Sequence, residues 1–405
     1  MKNIISKKPN LLVLIILAIL SGVLCGNFVN EGIARSFITF NSIFSNFLGF
    51  CIPLIIIGFV TPAISDLGKG AGKMLLVTVL LAYGVTLGAG FLSYFVGDTF
   101  FTQFIDYVPD SGLSDDKSSL NPYFTINISP VIDIMSALVL SFILGIGITQ
   151  VSSSQGMLKK IAIEFKEIIS WIISKIIVPL LPLYIFGMFL KMSFTGEANV
   201  ILSTFYKVIL VIFVLHLAWL IILYTIGALF SRKVKNPLKL IWKMLPAYFT
   251  ALGTSSSAAT IPVTLKQTIK MGVNEDIAGF TVPLCATINL SGSALKIVSC
   301  ALALMVMEGM TYDFGTFAYF IVMMGVALVA APGVPGGSIM AALGLLTSIL
   351  GFSDSNCALM IALYIAMDSF GTACNVTGDG AIALIIDRFF GNKNSEEKPQ
   401  TLEFA

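Results

Sequence analysis

Long apolar segments alternate with short polar connections through the first 230 residues of the chain. The apolar runs cover 11–26, 38–66, 72–98, 130–150, 160–192 and 202–230. A helix needs about 20 mostly apolar residues to cross the hydrocarbon core of a bilayer. These runs therefore predict six transmembrane helices. The first run could be a signal peptide, but its poorly formed cleavage site favours a helix that starts in the cytoplasm.

The pattern changes after residue 238, where the apolar segments become too short to span a membrane. "LKLIWKMLPAYFTALG" and "AATIPVTLKQTIKMG" enclose the polar tip "TSSS" at 254–257. A second pair, 316–330 and 338–351, encloses "APGVPGG" at 331–337, whose prolines and glycines break a helix. Polar tips at membrane depth are tolerated only in protein or beside a water-filled cavity. Both pairs therefore predict re-entrant helical hairpins.

Two more helices complete the pattern, and they carry related motifs. "NLSGS" at 289–293 interrupts the first, and "NVTGD" at 375–379 lies in the second, 86 residues later. Each motif follows a hairpin, which is typical of the internal repeats of secondary transporters. The sequence therefore predicts an all-α polytopic membrane protein with eight transmembrane helices plus two re-entrant hairpins.

Composition supports a membrane protein and excludes several function classes. Hydrophobic residues make up 57% of the 405 residues and charged residues 11%, against about 25% in soluble domains. Mean hydropathy is +0.94. A net charge of +2 gives no indication of nucleic acid as a partner. The six cysteines lie in apolar segments, His216 is the only histidine, and no nucleophile–base pair has a usable spacing, so we do not expect an enzyme.

The distribution of charge predicts an orientation in the membrane. Lysine and arginine concentrate in 69–73, 159–166 and 231–239, whereas the loop 106–123 is acidic. The positive-inside rule then places the basic loops and both termini in the cytoplasm. We expect a multi-pass protein of the cytoplasmic (inner) membrane.

Polar residues of the last helix point to a binding site. Asp379 offers a carboxylate, and Asn289 and Asn375 offer amides; with backbone carbonyls these suit Na⁺. Asp368 lies eleven residues earlier, about three helical turns, so an unpaired carboxylate there could face the same side and bind a substrate ammonium. Other readings stay open: "SSSAAT" as a helix cap, the aspartates paired with a buried cation for stability, and the tip glycines for turn geometry alone.

Four motifs resemble the dicarboxylate/amino acid:cation symporter family: "GTSSSAATIPVTL" (253–265), "VPLCATINLSGSAL" (282–295), "PGVPGG" (332–337) and "NVTGDG" (375–380). The resemblance implies a homotrimer with a glutamate-transporter-like elevator fold, in which the second hairpin is the gate. It implies a scaffold at 1–71 and 100–196, and a transport domain at 72–99 and 197–390. Residues 391–405 would be a polar cytoplasmic tail.

The same resemblance implies residues for the substrate and for two sodium ions. The substrate residues would be Ser256, Ser257, Ser293, Val334, Gly336, Asp368, Gly371, Thr372 and Asn375. The first sodium would use Cys285, Asn289, Asn375 and Asp379; the second would use Thr287, Leu290, Leu328, Val329 and Ala331. The substrate α-carboxylate would meet Ser257 and Asn375, and its ammonium would meet Asp368.

Gly371 favours a neutral amino acid as substrate. Acidic-substrate members hold an arginine at this position, and a planar guanidinium is what binds a side-chain carboxylate in two places. Ser255 also stands where some relatives have an arginine. A cation-coupled symporter of dicarboxylates or acidic amino acids is the alternative, and an anion-conducting channel is the alternative from another class.

Lys296 is the remaining anomaly, because a lysine inside an apolar helix is expensive and usually functional. The residues that would form a third sodium site in relatives are Val77, Leu80, Leu81 and Ser291 here, which offer almost no oxygen. We expect that site to be absent. Lys296 could act as a substitute cation, either donating to Ser291 and backbone carbonyls or pairing with Asp379. Alternatively, it could be a structural prop in a water-filled crevice.

Overall fold

The computed structural model describes residues 11–66, 73–105, 121–151, 156–195, 198–231, 234–329, 331 and 336–391. Every regular element within these ranges is a helix. The prediction of an all-α membrane protein is therefore confirmed at this level. Val334, the tail beyond residue 391, the first ten residues and most of the acidic loop lie outside the described residues.

Seven helices form from the long apolar segments of the first part of the chain. They are α1 Leu11–Gly26, α2 Glu31–Asp66, α3 Lys73–Phe104, α4 Ile134–Val151, α5 Met157–Ile172, α6 Val178–Phe194 and α7 Ala198–Phe230. A π-helical turn at Ile173–Ile177 joins α5 to α6, so the two form one continuous segment. Helix α3 continues past residue 99, where the sequence predicted a domain boundary, and ends at Phe104.

Eight further helices follow where the sequence pattern changes. They are α8 Pro237–Thr254, α9 Ser257–Met271, α10 Glu275–Ile288, α11 Ser291–Glu308, α12 Phe314–Val329, α13 Gly337–Leu350, α14 Asp354–Ala366 and α15 Asp368–Phe390. Helix α8 packs against α9, and α12 packs against α13, at the places predicted for the two hairpins. The chain is interrupted between α10 and α11 as predicted, and again at Met367 between α14 and α15, which the sequence did not predict.

Six segments of the described chain are long and apolar enough to cross a membrane. They are Glu31–Pro62, Lys73–Phe104, Met157–Phe194, Thr204–Phe230, Glu275–Glu308 and Asp368–Phe390. Helices α1 and α4 are shorter apolar helices, so the total of eight spans stays a prediction.

The broken helices α10–α11 and the last helix α15 form the centre of the molecule. About 94% of the most apolar stretch of each of these two segments is buried, against 39% for α3 and α7. Helix α15 packs against α7 to α11, while α1, α2, α4, α5 and α6 pack mainly among themselves. The division into a scaffold and a moving transport domain stays a prediction.

Helices α11 and α15 approach so closely that a side chain between them has no room. A Cβ added to Gly292 would lie 2.6 Å from the Gly371 carbonyl oxygen and 2.8 Å from Cys374 Cβ. Close approach through small residues is a common way for membrane helices to pack. Glycine at 292 therefore fixes the distance between the two central helices.

We predict that Gly292→Ala destabilises the protein, because the new methyl group overpacks this contact by about 1–3 kcal/mol. Gly279→Ala on α10 is the matched control, since its added Cβ meets nothing within 4 Å. Thermal unfolding of the purified proteins in detergent should show a lower midpoint for Gly292→Ala only. Equal midpoints for the two variants would contradict the close approach.

Candidate substrate and ion site

A cavity of about 690 Å³ lies where the hairpin tips meet the central helices. Most of its polar lining comes from the first hairpin, the broken helix, the second hairpin and the helices α14 and α15, and the rest comes from α3 and α5. The polar residues in this lining include Ser255, Ser256, Ser257, Thr287, Ser293, Ser338, Tyr364, Asp368, Thr372 and Asn375. The structure thus brings most of the predicted substrate residues to one cavity.

The tip of the first hairpin presents a helix N-terminus to this cavity. Ser255 ends α8 in a left-handed conformation, with φ 49° and ψ 30°, which turns the chain toward α9. Ser256 is the N-cap of α9, and its hydroxyl accepts a hydrogen bond from the Ala259 N–H at 3.3 Å. Ser257 is the first helical residue. The helix-cap reading of "SSSAAT" is therefore compatible with a site, since N–H groups of the first turn remain available to an anion.

The two related motifs contact each other directly. The Asn289 amide Nδ2 donates to the Asn375 carbonyl at 3.0 Å and to Asp379 Oδ1 at 2.9 Å. The Gly292 N–H donates to Asn375 Oδ1 at 2.7 Å. Asn289 is free to do this because it ends α10 in an extended conformation, with φ −89° and ψ 96°.

Oxygen atoms without hydrogen-bond partners surround this contact. Asp379 is 1% exposed, and within the described residues no cationic nitrogen forms an ion pair with it. Asn289 Oδ1, Ser291 Oγ and Thr377 Oγ1 are buried without a hydrogen-bond partner. A buried carboxylate without a counter-charge is strongly unfavourable, and such oxygens are the ligands that hard cations prefer. The residues predicted for the first sodium ion thus fit a cation.

Most of the residues predicted for the second sodium ion lie together on the cavity wall. Thr287, Leu290, Val329 and Ala331 line the cavity, where α10 and α12 end. Leu328 is buried behind them, and its carbonyl accepts a hydrogen bond from the Ala331 N–H at 3.0 Å.

Asp368 is not the unpaired carboxylate that the sequence suggested. Its Oδ1 lies 3.5 Å from Lys296 Nζ, and its Oδ2 accepts a hydrogen bond from the Gly336 N–H at 3.3 Å. Gly336 has φ +76° at the start of α13, a conformation that side chains disfavour. Asp368 therefore connects the broken helix to the second hairpin. This agrees with the alternative interpretation that Asp368 pairs with a buried cation.

The side chain of Lys296 does not contact the residues that the sequence suggested. Its side chain is fully buried, so the reading of a prop in a water-filled crevice is wrong. Its ammonium points to the junction of α14 and α15, where it lies 3.3 Å from the Met367 carbonyl oxygen and 3.7 Å from the centre of the Tyr364 ring. It contacts neither Asp379 nor Ser291, whose hydroxyl has no partner. The free carbonyl end of α14 and an aromatic face both attract a cation, which explains this position.

Three buried residues of the site gave no usable signal in the sequence. Tyr364, near the C-terminal end of α14, shares a hydrogen bond with Ser293 at 2.8 Å. His216 Nε2 lies 3.0 Å from the Gly292 carbonyl oxygen. The Tyr224 hydroxyl donates to the Thr377 carbonyl at 2.7 Å. Single polar residues of this kind acquire a role only through the packing of distant helices.

The chain is similar to the model of a known protein family and to several known proteins. The model of the sodium:dicarboxylate symporter family matches residues 11–389. Human excitatory amino acid transporter 5 is 34% identical over 169 residues, which is 40% of this chain and 30% of the relative. Rat neutral amino acid transporter B(0) is 31% identical over 189 residues, which is 45% of this chain and 33% of the relative.

These alignments span about a third of the length of each of the two relatives. The family and the relatives are transporters, not enzymes. The resemblance inferred from the four motifs is thereby confirmed. Because the family model covers nearly the whole chain, the protein belongs to the sodium:dicarboxylate symporter family.

Proposed function

We propose that the protein is a sodium-coupled symporter that carries an amino acid across the cytoplasmic membrane. The observation that carries this proposal is a cavity between the two hairpins whose lining includes Asn375. The Asn289 amide links the Asn375 carbonyl to the buried carboxylate of Asp379. In this proposal the termini are cytoplasmic and the molecule is a homotrimer. The transport domain moves as an elevator, and the second hairpin is the gate.

The substrate groups match the cavity by charge. The α-carboxylate binds at the N-terminus of α9, at Ser256 and Ser257, and receives a hydrogen bond from the Asn375 amide. The ammonium binds Asp368, with Ser293 and Thr372 nearby. The backbone at Gly336 and Val334 closes the cavity from the second hairpin.

Sodium is a co-transported substrate, and Asn375 couples it to the amino acid. The Asn375 carbonyl accepts from Asn289 on the side of the ion residues, whereas the Asn375 amide Nδ2 lies 3.4 Å from Ser293 Oγ on the side of the substrate. An ion that orders Asn375 therefore orders the substrate residues too. When two ligands stabilise the same conformation of one residue, the binding of each raises the affinity of the protein for the other.

The choice of amino acid rests on two opposing observations. Gly371 favours a neutral substrate, because α15 offers no cation there. The Lys296 ammonium at the same junction favours the second candidate, an acidic amino acid. Relatives named for excitatory and for neutral amino acids are both similar to this chain.

Uptake into proteoliposomes tests the proposal. With an inward Na⁺ gradient we expect saturable uptake of at least one of the twenty amino acids or cystine, and little uptake when choline replaces Na⁺. C4-dicarboxylates serve as the competing substrate class. An anion conductance that does not saturate and needs no Na⁺ would support the channel and contradict symport.

Asp379→Asn should raise the Na⁺ concentration for half-maximal uptake at least tenfold, because the carboxylate supplies the negative charge that balances a buried cation. Asp276→Asn, an exposed acidic residue of α10, is the matched control and should behave like the parent. Size-exclusion chromatography checks that both variants stay folded. Unchanged half-saturation by Na⁺ in Asp379→Asn would contradict the ion site.

Fewer than three sodium ions should accompany each substrate. Val77 and Leu81 pack as hydrophobic residues, and Leu80 presents hydrocarbon to the cavity, so α3 supplies no oxygen ligand at these positions. Reversal potentials measured in proteoliposomes give the stoichiometry. A value of three Na⁺ per substrate would contradict the absence of the third site.

A further inference from the structure

The Lys296 ammonium occupies the space in which a side chain at position 371 would begin. A Cβ built on Gly371 would lie 2.5 Å from Lys296 Cε, 2.6 Å from its Nζ and 3.2 Å from its Cδ. Any larger residue at 371 would displace the lysine. Gly371 is therefore not open space beside the substrate, because it makes room for a cation that comes from α11 instead of α15.

The lysine is held loosely for a buried cation. Its contacts with Asp368 Oδ1 at 3.5 Å and with the Met367 carbonyl at 3.3 Å are both longer than usual for an ammonium and oxygen. The face of the Tyr364 ring is a further neighbour, with its centre 3.7 Å from Nζ. Asp368 lines the cavity, while Lys296 is covered, so the carboxylate separates the ammonium from the substrate.

The charges of Asp368 and Lys296 favour one class of substrate over another. A neutral amino acid brings one ammonium to Asp368, which then has to serve two cations, while the α-carboxylate is bound at α9. Lys296 would lose its counter-charge inside the protein, and such an uncompensated buried charge is strongly unfavourable. An amino acid with an acidic side chain brings one more carboxylate. Asp368, Lys296 and each charged group of the substrate then have a partner.

We propose that Lys296 is a specificity-determining residue that changes partner when substrate binds. Before binding, its ammonium neutralises Asp368. When the substrate ammonium takes Asp368, Lys296 turns to the side-chain carboxylate, so that the preferred substrate is a small acidic amino acid. The four-carbon stem of lysine permits this movement of the charged head without a shift of the helix. This inference rests on the proposed function and, of its two candidate substrate classes, names the acidic one.

L-Aspartate and L-asparagine test the proposal, because they have nearly the same shape and differ in the charge of the side chain. Their affinities for the purified protein in saturating Na⁺ are measured by isothermal titration calorimetry. The unaltered chain should bind aspartate at least tenfold more tightly than asparagine. Equal affinities, or a preference for asparagine, would overturn the proposal without any variant.

Variants then assign the preference to the lysine. Lys296→Met should lower the ratio of aspartate to asparagine affinity at least tenfold, and asparagine binding should persist. The double variant Lys296→Met with Gly371→Arg should restore the ratio, because the space at 371 then holds a cation from α15. A ratio unchanged by Lys296→Met, or one that the double variant fails to restore although it elutes as folded protein, would overturn the role of Lys296.

The same measurements separate the two proposals. If uptake needs Na⁺ but strongly favours neutral amino acids, the proposed function holds and the role of Lys296 is wrong. If no amino acid shows Na⁺-dependent binding or uptake, the proposed function fails and the inference fails with it.

Discussion

The close approach of α11 and α15 is the constraint on which the site depends. Gly292 and Gly371 allow it, since the Gly371 carbonyl oxygen would lie 2.6 Å from a Cβ at position 292. Along this contact lie Asp379 with Asn289, Asn375 with Gly292, and Asp368 with Lys296. Asp379 and Lys296 are buried from water, so each needs a partner from another helix or from what the protein binds.

The position of each group along this contact gives it a distinct task. Asp379 has no cationic partner among the described residues, which favours an ion that comes from solution. Asp368 has an internal partner, which favours a substrate able to replace it. Asn375 lies between them and contacts the broken helix on both sides of the interruption. Ion and substrate are therefore bound by one connected set of hydrogen bonds.

Local chemistry in the sequence predicted the hairpins, the break at Asn289 and the meeting of the two asparagine motifs. A polar or glycine- and proline-rich tip between two short apolar segments can hardly form any structure in a membrane other than a re-entrant hairpin. The break at Met367 and the pairing of Lys296 could not be predicted in this way. The pair joins residues 72 positions apart, and its geometry depends on how two helices cross. In the sequence, glycine at 371 indicates that the site lacks the bulk and the charge of a long basic side chain. In the structure, Lys296 of α11 supplies both.

The most direct test of this account is the structure of the protein with Na⁺ and L-aspartate, determined at a resolution that shows side chains. The account predicts the substrate ammonium on Asp368 and the Lys296 ammonium within about 3 Å of the substrate's side-chain carboxylate. Lys296 still paired with Asp368, with the substrate ammonium bound elsewhere, would contradict it.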